Sequence, residues 1–222
     1  MSAPTTFTRP ADHGGAAPAV PPPLRNGDRL TADEFHRRYE AMPDLKKAEL
    51  IDGRVYVGSP LRYRSHGYPH ALIITWLGTY AATRPGIEVG DNPTVRLDAD
   101  NTPQPDAVLR FDGESSRSKV AADDYLDGPP ELVVEIAASS VSYDLHEKAD
   151  VYRRHGVREY VVWRVEDEAI DWLANRQGRF EPLQAADGVI ESESFPGLRL
   201  DTTAALRGDI AGVLDAVGKR AD

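Results

Sequence analysis

From about residue 30 onward, apolar positions alternate between helical and strand spacing. Thr31-Ala32-Asp33-Glu34 ahead of Phe35 and Tyr39 predicts a short capped helix. Ala48-Glu49-Leu50-Ile51 and Arg54-Val55-Tyr56-Val57 flank Asp52-Gly53, a pair suited to a two-residue hairpin turn. Over 69–82, Leu72, Ile73, Trp76, Leu77 and Tyr80 recur at the intervals of an amphipathic helix. Strands are predicted at 87–89, 94–97 and 106–111, then a polar loop with a short helical turn over 112–128. The run 131–137 reads as a core strand, followed by a helix over 144–155 ended by Gly156, and by a strand over 159–165. Shorter strands at 169–173, 180–183 and 189–191 precede a last helix, capped by Thr202 or Thr203 and reaching Val217. The strand–helix–strand unit over 131–165 predicts a parallel pair with a right-handed crossover, while the hairpins predict antiparallel neighbours. The fold class is α/β, a mixed sheet with flanking helices.

Residues 1–26 break this patterning. They are rich in Pro, Ala, Gly and Thr, with Pro21-Pro22-Pro23 near their end, and offer little apolar surface to offset the entropy of ordering. They read as a disordered tail ahead of a single domain over 27–222. A chain of 222 residues, 41% hydrophobic and 28% charged, suits a soluble globular protein with a substantial core. No apolar run approaches the roughly 18–20 residues of a membrane helix, and the N-terminus lacks the apolar segment of a signal peptide. With no cysteine, disulfides and cysteine-ligated metal centres are excluded, which fits a reducing cytoplasm. The net charge of −10 argues against broad attraction to nucleic-acid phosphates. It does not exclude a metal-dependent nuclease, whose carboxylate cluster adds charge that only its cation neutralises.

The chemistry-bearing residues are acids inside apolar runs. Asp106 follows Pro105 and opens Ala107-Val108-Leu109, and Glu135 interrupts Leu132-Val133-Val134 and Ile136-Ala137. A buried carboxylate needs a proton, a cation or a metal. Asp106 fits a metal ligand or an ordinary loop-edge aspartate; Glu135 fits a metal ligand or a salt bridge with Arg110 or Arg164. Glu49 either completes the carboxylate cluster or is an exposed hairpin glutamate. Lys148 sits at the margin of the apolar face set by Leu145, Ala149 and Tyr152, so it can reach the sheet beneath. Otherwise it pairs with Asp144 four residues earlier, and Asp144 could instead cap the helix with Glu147 in the capping-box position. His66 and His70 read as loop or internally satisfied histidines, or as part of a metal or phosphate site; with Arg62 and Arg64 they form a local basic patch that is either a solvated loop or a contact for a phosphate backbone. Phosphate loops, nucleophile elbows and dinucleotide fingerprints are absent.

Taken in order, Glu49-Leu50-Ile51-Asp52-Gly53-Arg54-Val55-Tyr56, Gln104-Pro105-Asp106, Pro130-Glu131-Leu132-Val133-Val134-Glu135-Ile136 and Glu147-Lys148 … Tyr152 … Gly156-Val157-Arg158-Glu159-Tyr160 resemble the Uma-two group of putative restriction endonucleases, within the PD-(D/E)XK nuclease superfamily. The resemblance spans about residues 30–205. It implies a restriction-endonuclease-like core and Mg²⁺ or Mn²⁺ held by Asp106 and Glu135, with Glu49 as third acid. Many superfamily members carry a lysine two residues after the glutamate; here Ala137 stands there, and the resemblance points to Lys148 as its replacement. Many members also carry an aspartate after the strand beginning Glu159-Tyr160, where this chain has Trp163-Arg164 and only later Asp167. The implied function is metal-dependent endonuclease action on DNA by metal-activated water, with homodimerisation compatible with the superfamily. The alternative is a non-catalytic nuclease-fold protein that binds nucleic acid or a protein partner, motivated by the acidic charge and the missing Glu-x-Lys.

Overall fold

The computed structural model describes residues 20–114, 116–138 and 141–217. Helix α1 (Ala32–Glu40) starts where the Thr31 side chain accepts a hydrogen bond from the Glu34 amide. Strands β1 (Ala48–Ile51) and β2 (Arg54–Val57) form the expected hairpin. Its turn holds Asp52 and Gly53 at positive φ (49° and 70°), the twist that suits a two-residue connection. Helix α2 (Tyr68–Ala82) buries all five predicted apolar residues.

Strands β3 (Ile87–Asp91), β4 (Val95–Arg96) and β5 (Ala107–Phe111) follow as read. The segment predicted as a loop with a helical turn instead contributes β6 (Lys119–Val120) and β7 (Leu126–Asp127), which join β4 in a small three-stranded sheet. Two-residue strands are too short to display a period of two. Next come β8 (Leu132–Ala137), α3 (Val141–Tyr143), a π turn over Asp144–Lys148, α4 (Ala149–His155) and β9 (Glu159–Arg164). Strands β10 (Ala169–Arg176), β11 (Arg179–Pro182), β12 (Val189–Glu191) and the unforeseen β13 (Arg199–Asp201) lead into α5 (Thr202–Leu206) and α6 (Ile210–Ala216).

Two boundary expectations are corrected. The last helix is broken at Gly208 (φ 71°), and its halves are capped by Asp201 and Asp209 rather than Thr202 or Thr203; the two carboxylates accept from the amides of Ala204 and Gly212 at 2.9 and 3.0 Å. The ordered chain also begins before residue 27, because Leu24 is buried against the cluster of Phe35, Leu50 and Val55. The preceding prolines stiffen the unfolded chain and so lower the entropic cost of ordering this stretch. Residues 1–19 of the predicted tail lie outside the described residues.

The central sheet runs β11-β10-β9-β8-β5-β3, with β8 and β9 parallel and every other pair antiparallel. On one face Leu109, Leu132, Val134, Ile136, Val161 and Trp163 pack with the apolar side of α2. On the other, Val108, Val133, Ala137, Tyr160 and Val162 pack with Ala149 and Tyr152 of α4. Strand alternation therefore assigns Glu135, between Val133 and Ala137, to the α4 side. No helix among the described residues is long and apolar enough to cross a membrane.

Gly156 joins α4 to β9 in the left-handed conformation (φ 81°), its amide donating to the Arg153 and Tyr152 carbonyls. A methyl group at this position would lie 2.6 Å from Arg117 Nη2. Gly156→Ala is expected to cost about 1 kcal/mol, since a left-handed position penalises a Cβ. Thermal unfolding checks this: the variant melts a few degrees lower, and an unchanged melting temperature would contradict the assignment.

Candidate active site

The register of β5 against β8 sets Ala107 opposite Val134 and Val108 opposite Val133. Extended by one residue, it sets Asp106 opposite Glu135, and residues opposed in an antiparallel pair share one face. Both carboxylates are almost fully buried, at 2% exposure each.

Lys148 stands at the centre of the acidic group. Its Nζ lies 2.6 Å from Glu135 Oε1, 2.8 Å from Glu49 Oε1 and 3.8 Å from Asp144 Oδ1. The i,i+4 pairing with Asp144 is thus the longest of three contacts, and Asp144 lies inside the π turn rather than at a helix N-cap. Lys148, the last residue of the π turn, is fully buried rather than marginal. Tyr152, one turn on, donates its hydroxyl to the same Glu135 oxygen at 2.9 Å. Glu49 Oε1 also accepts from the Gln104 amide at 2.8 Å, because a bridge between Leu50 and Thr102 lays β1 beside the segment leading to Asp106.

Asp106 has its own partners. Lys47 Nζ donates to Oδ1 at 2.9 Å, His66 Nε2 lies 3.2 Å from the same oxygen, and the Ile136 amide donates to Oδ2 at 2.7 Å. His70 Nε2 contacts the Asp106 carbonyl oxygen at 2.9 Å. Lys47 escaped the sequence reading, although strand alternation sets it on the same side as Glu49, two residues on. His66, expected as a loop or internally satisfied histidine, is the latter: a second π turn (Tyr63–Gly67) holds it at Asp106. The partners proposed for Glu135 are engaged elsewhere: Arg110 with Glu88 and Ser118, and Arg164 with Asp171 and Asp167.

The electrostatics divide the acids. Burial pushes Asp106 upward, but His66 and Lys47 outweigh it and hold the carboxyl well below its ordinary range. Burial raises Glu135 to about 8; Lys148 opposes the shift, while Asp106, Asp144 and Glu49 add to it. Burial alone would lower Lys148, yet Glu135 and Glu49 keep its ammonium more firmly protonated than a free lysine. Asp106 has Lys47 and His66 beside it, whereas buried Glu135 shares the single Lys148 ammonium with Glu49 and Asp144.

This arrangement bears on whether a divalent cation suits these residues. Glu49, Asp106, Glu135 and Asp144 face two ammonium groups, and carboxylate oxygens are the hard donors that Mg²⁺ and Mn²⁺ prefer. The donor set therefore fits such an ion in type and charge. Among the described residues, however, no three His, Asp or Glu side chains are already gathered at ligating spacing.

A family model described as "Putative restriction endonuclease", Uma2, matches residues 32–203. This chain belongs to the Uma2 family. The match encloses Lys47, Glu49, His66, Asp106, Glu135 and Lys148. Among solved structures, this Uma2 chain is similar to a crystal structure described as a putative nuclease belonging to DUF820, from Anabaena variabilis. The two share 14% identity at a TM-score of 0.61, over 81% of this chain and 98% of that one. The likeness establishes a shared fold, the mixed sheet with flanking helices expected of this Uma2 chain. No curated protein sequence matches it.

Glu135→Gln tests the raised carboxyl. An acid whose folded pKa lies above its unfolded value loses stability as pH rises between the two. Here the window runs from about 4.3, the unfolded glutamate value, to about 8. The variant is expected to gain stability over the parent progressively across that window, read from melting temperatures at pH 5 and pH 8. A difference that does not grow with pH would contradict the raised carboxyl.

Proposed function

We propose that this Uma2 protein is a divalent-metal-dependent endonuclease that hydrolyses phosphodiester bonds in DNA. Family membership supports nuclease function at the coarse level. The observation that carries the finer reading is the opposed Asp106–Glu135 pair beside a buried lysine that replaces the absent Glu-x-Lys cation. Asp106 and Glu135 would hold Mg²⁺ or Mn²⁺, with Glu49 as third acid. Such an ion, when bound, polarises the scissile phosphate and lowers the pKa of the attacking water.

The chain's own residues do the rest. Lys148 supplies a fixed positive charge for the negative charge that builds on the phosphate during attack. Glu49 and Glu135 hold that ammonium in place, so little reorganisation is needed as the charge develops. Tyr152 fixes the Glu135 carboxyl through its hydroxyl. Ile136 and His66 orient the two oxygens of Asp106. Lys47, 24% exposed, is the cation of this group most open to an incoming phosphate.

One observation favours the non-catalytic alternative: the buried acids already have lysine partners. Plasmid cleavage separates the two readings. Purified protein is expected to cut DNA with Mg²⁺ or Mn²⁺ and to lose activity in EDTA. Asp106→Ala should abolish cutting, and Lys148→Met should slow it by on the order of 10²–10³-fold, the cost typical of losing one preorganised charge-stabilising group. Absence of metal-dependent cleavage, or full activity in Asp106→Ala, would overturn the endonuclease reading.

A further inference from the structure

The segment leading from β2 into α2 carries features that neither the fold nor the acid cluster uses. Leu61 and Tyr63 are 65% and 67% exposed, unusual for large apolar side chains. Between them and just beyond stand Arg62 and Arg64. Both are exposed, and among the described residues neither forms an ion pair with a carboxylate.

The segment is held firmly. The Arg64 guanidinium carbon lies 5.3 Å from the Tyr63 ring centroid and 5.5 Å from that of Tyr68, so three flat groups gather in one place. Tyr68 is anchored by its hydroxyl to the Gly208 carbonyl at 2.7 Å. The π turn beneath has the His66 and Gly67 amides both bonded to the Arg62 carbonyl, at 3.0 and 3.1 Å. His66 ends this path on Asp106. The exposed ring is therefore three residues along the chain from the side chain that touches the candidate catalytic carboxylate.

We propose that Leu61–Arg64 is a stacking platform for an unpaired nucleobase, so that the enzyme engages single-stranded or locally opened DNA at the cut site. This rests on the endonuclease reading above. A base inside an undistorted duplex shows its edges to a protein, while its flat face is covered by its neighbours; an exposed tyrosine finds an open face on a base that has left the stack. Net charge points the same way. A net charge of −10 works against attraction to the paired phosphates of a duplex, and stacking supplies affinity that does not depend on phosphate neutralisation. Arg62 and Arg64 then hold the phosphates flanking the stacked base.

Fluorescence anisotropy with the full chain in EDTA tests this, using a labelled thymidine oligonucleotide, its duplex and a uridine oligonucleotide. The single DNA strand is expected to bind tighter than the duplex. Tyr63→Ala should weaken single-strand binding about tenfold, the scale of one lost base–aromatic stack, and leave duplex binding unchanged; Tyr63→Phe should retain it. Equal binding by Tyr63→Ala and the parent, or a parental preference for duplex, would overturn the platform, and tighter binding of the uridine strand would overturn its assignment to DNA. A parallel cleavage assay on bubble-containing DNA separates the two claims. If the parent cuts nothing, the endonuclease reading fails while anisotropy still decides the platform. If Tyr63→Ala cuts bubble and duplex DNA as the parent does, the platform fails and the nuclease stands.

Discussion

The Lys148 ammonium, bonded at once to Glu49 and Glu135, is the contact on which the rest of this protein depends. Burying a lone carboxylate is costly, and removing one partner of a buried pair typically costs several kcal/mol. Here one cation serves acids from separate parts of the fold. Glu49 belongs to the β1–β2 hairpin, Glu135 to the central sheet, and Lys148 to the crossover between the two parallel strands. The hairpin is not part of the main sheet; this ion pair, with the bridge between Leu50 and Thr102, draws it against the site. Burial raises Glu135, and the shared ammonium offsets this only in part, while Asp106, beside Lys47 and His66, is lowered.

Two of the segments that reach the acids do so through π turns, Tyr63–Gly67 for His66 and Asp144–Lys148 for Lys148. A π turn widens the helix and re-aims the side chains within it, at some cost in hydrogen-bond geometry. Here Lys148, at the end of one such turn, is fully buried against the acids. The path from charged site to exposed surface runs through the first of these turns. Structure and chemistry meet there: the residues that orient Asp106 are continuous with those that present Tyr63 and two unpaired arginines to solvent.

Much of the frame was legible from residue pattern alone. The apolar run around Glu135 marked a strand covered on both faces, the Asp52-Gly53 pair marked the hairpin turn, and Gly156 marked the end of the crossover helix. The proximity of Lys148 to the sheet followed from helical phase, though the π turn it ends and its full burial did not. What escaped has identifiable reasons. Strands β6 and β7 pair over two residues each, too few for alternation to register. Lys47 stands just before the hairpin, on the side of Glu49, and the approach of β1 to the segment leading to Asp106 gives it a role. The split of the last helix depended on aspartate caps competing with the neighbouring threonines.

The central claim is that these acids are arranged for a divalent cation rather than fully satisfied by their lysines. Calorimetric titration with Mn²⁺ tests it most directly, because it reads binding without requiring turnover. The account predicts saturable binding at one site in the parent protein and its loss in Asp106→Asn, a change that keeps the volume of the side chain but removes its charge. Absence of binding in the parent, or undiminished binding in Asp106→Asn, would contradict it.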